Sequence, residues 1–252
     1  MASQPGPAGG GSIDFGRAFQ FYFEDPDWLK KTLIGGALFF FGLVGLVALF
    51  AGVILLAMVN GYMMRVMQRA YAGDPRPLPE WEDYGGLMRD GFKLLLLWLG
   101  YGAIFYGIPM VAIVAMGFVS AAARSDAVSG IMALFILLMQ LLTMVLGLGL
   151  AIYMPSAVAR MTLYQRLGAG FEFKENLALI KRNPGNYFLA FLIVLVVGLV
   201  ASVAGCALCL VGIFFAVFWA QCVQGYVLGE VVRRDPLIGQ PLAPAPEPTP
   251  GL

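Results

Sequence analysis

Cys206 and Cys209 form a Cys-x-x-Cys pair, the spacing of a redox dithiol or of half a zinc site. A zinc site needs a second thiol pair or histidines, and this chain has three Cys and no His. A redox dithiol needs a strand–helix setting, whereas this pair lies inside a long uncharged apolar stretch. It therefore reads as small side chains packed at a turn, with an external disulfide as the exception, and Cys222 reads as packing alone. The absence of His also removes the commonest general base near neutral pH and the usual haem ligand. Asp74, Glu80, Glu82 and Asp83 make an acidic cluster that could take a divalent cation or a basic partner. Interleaved arginines favour a solvated loop instead. No phosphate-cradling glycine loop, dinucleotide turn or serine-nucleophile motif is present. The expectation is a protein with no catalytic, cofactor-binding or metal-binding residues, and not an enzyme.

The neutral polar residues remain. An ionisable side chain at mid-membrane costs roughly 3 kcal/mol on insertion scales and is functional by default, but the apolar runs contain none. They do contain Asn60, Tyr62, Tyr101, Tyr106, Gln140, Thr143, Tyr153, Ser156, Ser202, Gln221, Gln224 and Tyr226. Most such groups hydrogen-bond between helices or sit at the interface. Gln140 is near the centre of its run, and Pro155 should kink the same helix. Gln140, Tyr153 and Gln221 are the candidate polar pocket.

The elements that must position these residues follow from charge distribution. The 252 residues are 60% hydrophobic and 12% charged, and four runs contain no Asp, Glu, Lys or Arg: 32–64, 94–123, 127–159 and 183–229. About 18 uncharged apolar residues suffice for a spanning helix, so the fold class is all-α, a polytopic helical membrane protein with five or six hydrophobic helices arranged as hairpins. Run 183–229 would be about 70 Å of helix and must cross twice, with its turn around Gly205. Run 32–64 is either one helix continuing past the membrane or a hairpin broken near Gly42, Gly45 and Gly52. Divided in two it gives only about 22 Å per arm, short of a full span. Charge favours the hairpin. Basic residues flank the runs on one side, and only Arg124 falls on the other if the amino-terminal segment is inside. A cytoplasmic carboxyl terminus follows from the same rule.

Short aromatic, mixed-charge segments precede the runs. Phe15, Phe19 and Tyr22 are spaced for an amphipathic helix with Ser12 as N-cap; Trp81, Tyr84, Met88 and Phe92 share a helical face; Phe173, Leu177 and Ile180 share another. These are expected to lie on the cytoplasmic leaflet, with Trp28, Lys30, Lys31, Trp81, Tyr84 and Phe173 as interfacial anchors. Residues 1–12 read as a disordered leader, 13–234 as the membrane domain, and 235–252 as a Pro-rich disordered tail. An internal echo links NGYMMRVMQRAYAGDP from Asn60 with QGYVLGEVVRRDP from Gln224, which would give the first and last runs one topology. Gly225 and Gly229 make a G-x-x-x-G, a weak sign of helix association.

The succession FEDPDWLKKTLIGGALF and GYMMRVMQRAYAGDPRPLPEWEDYGGLMRDGFK, with Asn-Pro before the last hydrophobic hairpin, resembles an uncharacterised prokaryotic membrane family, domain of unknown function 4013. The likeness covers roughly residues 15–234, and the long Gly- and Pro-rich leader departs from it. The resemblance implies a polytopic helical protein of a prokaryotic cytoplasmic membrane and carries no activity to any residue. The function expected from the residues is a non-enzymatic structural or accessory envelope protein that binds membrane lipids or another membrane protein. A transporter or channel component for a small or amphipathic solute is the alternative. Nothing points to nucleic acid, to a cofactor or specifically to a homo-oligomer.

Overall fold

The computed structural model describes residues 13–47, 51–122, 126–207 and 212–235. Of these, 87% are helical and none is in a strand. In chain order the helices are α1 Phe15–Gln20, α2 Trp28–Val47, α3 Ala51–Tyr71, α4 Tyr84–Ala122, α5 Asp126–Tyr164, α6 Leu167–Phe171, α7 Phe173–Arg182, α8 Pro184–Ala207 and α9 Gly212–Arg233. Six of them, α2 to α5, α8 and α9, are long and apolar enough to cross a membrane. The expected leader, the Ser12 cap, Arg124, Cys209 and all of the tail beyond Asp235 lie outside the described residues.

The first run is a hairpin. Glycines 42 and 45 of α2 lie against Leu56 and Gly52 of α3, so the two helices pass closely side by side. The length objection fails because the helices do not stop where the charges begin. Helix α2 recruits Trp28 to Lys31, and α3 continues through Arg65 and Arg69, giving 20 and 21 residues, about 30 Å each. The three glycines permit close packing and are not the break itself, which falls after Val47. The last run is also a hairpin. Its first arm continues to Ala207, beyond the expected turn, and Gly205 instead packs on Ile213 of the second arm.

Helices α3 and α9 run parallel: Gly225 meets Met63, and four residues on Gly229 meets Met67. These contacts join the two echoed segments directly, with Gly225 of one lying close to the residue after Tyr62 of the other. The echoed Gly61 has its own close neighbour, because a Cβ there would collide with the Leu87 carbonyl of α4. Gly91 of α4 returns the contact against Ala57. Small residues thus allow α9, α3 and α4 to approach backbone to backbone, the device that membrane bundles use when apolar burial alone gives little attraction.

Helices α4 and α5 have 39 residues each, about 58 Å, nearly twice the length of α3 and α9. Only the halves near the charged end are inside the bundle. On α4 the buried positions run from Leu87 to Tyr101, with Pro109 the only buried position beyond; on α5 they begin at Leu150. The remainder is apolar on all sides, with Ile108, Val111, Phe118, Met144 and Val145 all well exposed. A helix apolar all round, with no protein over it, is suited to lipid. Residues 84–93 of α4, with Arg89, Asp90 and Lys93, and the end of α5 from Arg160 belong to the charged end, so only part of each helix has to match a core of roughly 30 Å.

Of the expected surface segments, the first gives the six-residue α1, with Ala18 inward and Phe15 exposed, and the last gives α7, with Asn176 and Leu179 inward and Phe173 stacked on Tyr153; each is a separate short helix. Residues 81–92 are not one. Trp81 is tucked inside and Asp83 caps α4, accepting from the Gly86 amide at 2.9 Å, so the segment becomes the first turns of a spanning helix. At the amino end Asp14 caps α1 by accepting from Arg17 N at 3.1 Å. The chain then turns inward, burying Phe21 and Tyr22.

Candidate functional site

A cavity of about 450 Å³ opens halfway along the bundle between α3, α4, α5, α8 and α9. Its wall is mainly apolar, including Met63, Trp98, Met154, Phe191 and Leu195. Three side-chain amides interrupt it: Asn60, Gln221 and Gln224. Asn60 spends a donor on the Leu56 carbonyl at 2.8 Å, a bond within its own helix. Gln221 Oε1 is buried without a hydrogen-bond partner. Pro155 has no N–H, so the carbonyl of Ala151, one turn earlier, loses its usual helical donor. Both residues line the cavity, whose side-chain polar groups are the three amides within an apolar shell. No ionisable side chain lines it.

The three residues expected to form a polar pocket are not brought together. Gln221 lines the cavity, whereas Gln140 is exposed on the distal part of α5. Tyr153 is buried on a different face of α5. Its hydroxyl lies 2.8 Å from that of Tyr101 and accepts from Asn176 Nδ2 at 2.9 Å. Tyr101 and Asn176 both donate to the Gly170 carbonyl at 2.8 Å. This fully engaged cluster fastens α6 and α7 to the spanning helices. Asn60 and Gln224 are the residues that sequence reasoning left among the ordinary polar ones. Their matching places in the echo, immediately before Gly-Tyr, were the signal available. Among the described residues no group of three or more His, Cys, Asp or Glu could hold a metal ion. Cys206 is exposed and Cys222 buried, both as free thiols.

The succession of hairpins and apolar helices agrees with a family model, described as Protein of unknown function (DUF4013), that matches residues 31–210. The chain belongs to this family. No curated protein and no solved structure matches it. The match covers the part of the cavity supplied by α3, α4, α5 and α8 and ends before α9, which brings Gln221 and Gln224.

In this DUF4013 chain the match begins at Lys31, expected as an interfacial anchor. Lys31 is buried, with its side chain 3% exposed, and pairs with Asp25 at 2.8 Å and Glu80 at 2.6 Å. It cannot reach out to the headgroup layer because the loops on both sides close over it, and Leu78 supplies a further carbonyl at 3.4 Å. Trp81 is also inside, stacked on Tyr62 with ring centroids 4.4 Å apart, while Tyr62 donates to the Pro79 carbonyl at 2.8 Å. Lys30, Tyr84 and Phe173 are exposed, and Trp28 is half-buried. The polar end of the bundle is thus a packed cap in which loop 72–83 is tied to α2 and α3.

Proposed function

We propose that this multi-pass membrane protein is a non-catalytic accessory component of the cytoplasmic membrane that holds an uncharged amphipathic guest, a membrane lipid or the lipid-like part of a partner. The observation that carries the reading is the cavity between α3, α4, α5, α8 and α9. It has room for a stretch of hydrocarbon, and its amides can meet one hydroxyl or carbonyl. Buried polar groups want partners, and an apolar pocket with few convergent polar groups is the usual form of a small-molecule site. Coupled transport of a solute is less well supported: no ionisable group lines the cavity, and the expected polar path through Gln140, Tyr153 and Gln221 does not converge. The basic ends of the helices face the cytoplasm in this reading, as the positive-inside rule requires.

The test is gentle extraction of the tagged full chain from native membranes, with mass spectrometry of retained molecules and a size-matched unrelated membrane protein as control. The expected result is one lipid class or one protein at near-equal stoichiometry. Filling the cavity with Ala190→Phe should displace a lipid guest. Identical lipid profiles from wild type, variant and control would contradict the reading, as would turnover of a substrate by the purified protein.

A further inference from the structure

A second cavity, of about 360 Å³, lies at the charged end, enclosed by the amino-terminal segment, the turn after α3 and the end of α9. Arg17, Arg233 and Arg234 face it together with Asp14, Asp74 and Glu230. Equal numbers of opposite charges would ordinarily mean a closed network, but the hydrogen bonds do not balance. The carboxylates are engaged: Asp14 accepts from Arg17 N at 3.1 Å and Asp74 from Arg76 N at 2.9 Å. Glu230 sits between Arg233 at 2.8 Å and Arg234 at 2.9 Å. The guanidinium groups have donors left over. Arg233 Nε and Arg234 Nη1 are both buried with no acceptor, and the Arg234 side chain is only 12% exposed.

A guanidinium cannot relieve an unmet N–H by losing a proton. A buried donor without an acceptor carries its full desolvation cost. The arginines beside Glu230 are therefore short of acceptor oxygens, because the two of them share one carboxylate. Tetrahedral oxyanions suit this arrangement, because the planar fork of arginine matches phosphate oxygens. Depth points the same way. The uncharged stretch of α9 ends at Gly229, so residues 230–234 stand where hydrocarbon gives way to headgroups.

From this geometry we infer that the cavity binds a phosphate-bearing anion, held by the guanidinium groups of Arg17, Arg233 and Arg234 that line it. The site is separate from the mid-bundle cavity and stands or falls independently of it. Two sources share this chemistry, the headgroup of an anionic phospholipid and a soluble phosphate ester. The experiment uses the full chain in a neutral detergent. One arm adds dioleoylphosphatidylglycerol or dioleoylglycerol, which has the same chains and no phosphate, and reads adducts by native mass spectrometry. The other titrates glycerol phosphate calorimetrically. Selective retention of the phospholipid identifies a headgroup site, and saturable uptake of glycerol phosphate identifies a soluble ester. In either arm Arg234→Gln should weaken binding about tenfold, the usual scale for losing a charge-assisted hydrogen bond. Arg17→Gln, on the short peripheral α1, should weaken it in the same direction if Arg234→Gln fails to fold. Equal retention of both lipids together with no uptake of glycerol phosphate would overturn the proposal, and so would unchanged binding in a folded variant.

Discussion

Lys31 shows what a single buried charge demands of its surroundings. Its ammonium group and the Asp25 carboxylate are both almost fully enclosed, 3% and 5% exposed, so neither can be left alone. Removing one partner of a buried pair typically costs about 3–5 kcal/mol, mostly from the charge stranded behind. Lys31→Met is therefore expected to lower stability by that order, and Lys31→Met with Asp25→Asn to recover most of it, as measured by unfolding in detergent. Asp83 is a milder case at the surface. Its carboxylate accepts from the Gly86 amide and pairs with Arg65, which together hold it below the usual carboxylate range. A group lowered in the folded state stabilises above its unfolded pKa, and the benefit fades as pH falls through the folded value. The stability gap between wild type and Asp83→Ala should narrow between neutral pH and pH about 3, as read by thermal unfolding. Sequence alone placed Lys31 outside, because a basic residue after an aromatic at an apolar boundary usually anchors there. That Glu80, from the loop after α3, joins the nearby Asp25 in closing over it is a long-range fact that no local pattern carries.

At the scale of elements, close helix approach is concentrated at particular glycines. A Cβ on Gly61 or Gly91 would collide with backbone of the facing helix, whereas Gly107 and Gly117, on the distal part of α4, meet nothing within 4 Å. Gly91→Ala is expected to cost about 1–3 kcal/mol through overpacking, and Gly117→Ala to change stability by less than about 0.5 kcal/mol. Parallel melting of the two variants checks this. The existence of the hairpins was legible from run length and charge, and their extent was not. Charge boundaries mark where water begins for a single exposed helix, but α2 buries Lys31 and α4 begins at Tyr84, ten residues before its uncharged run. The candidate site was half legible. Gln221 stood out as an amide in an apolar run, but sequence distance could not show that Asn60 and Gln224 share its cavity while Gln140 lies apart.

Taken whole, the molecule is two short hairpins, α2–α3 and α8–α9, with their second arms parallel and in contact, and a longer hairpin, α4–α5, inserted between them in the chain. Every described connection at the charged end lies on one side of the bundle, which makes the number of crossings even. With the native cysteines replaced, Glu82→Cys at that end should react with an impermeant maleimide only after the cells are opened. Ala121→Cys, near the far end of α4, should react in intact cells. Labelling of both from the same side would rule out the arrangement. The central claim is that the mid-bundle cavity selects its occupant, and the most direct test is photocrosslinking in native membranes. A benzophenone side chain is placed at Phe191, in the cavity wall, or at Leu199, two turns along α8 and well exposed. Position 191 is expected to yield adducts of one mass class and position 199 the spread of bulk lipid. The same spread at both positions would contradict the account.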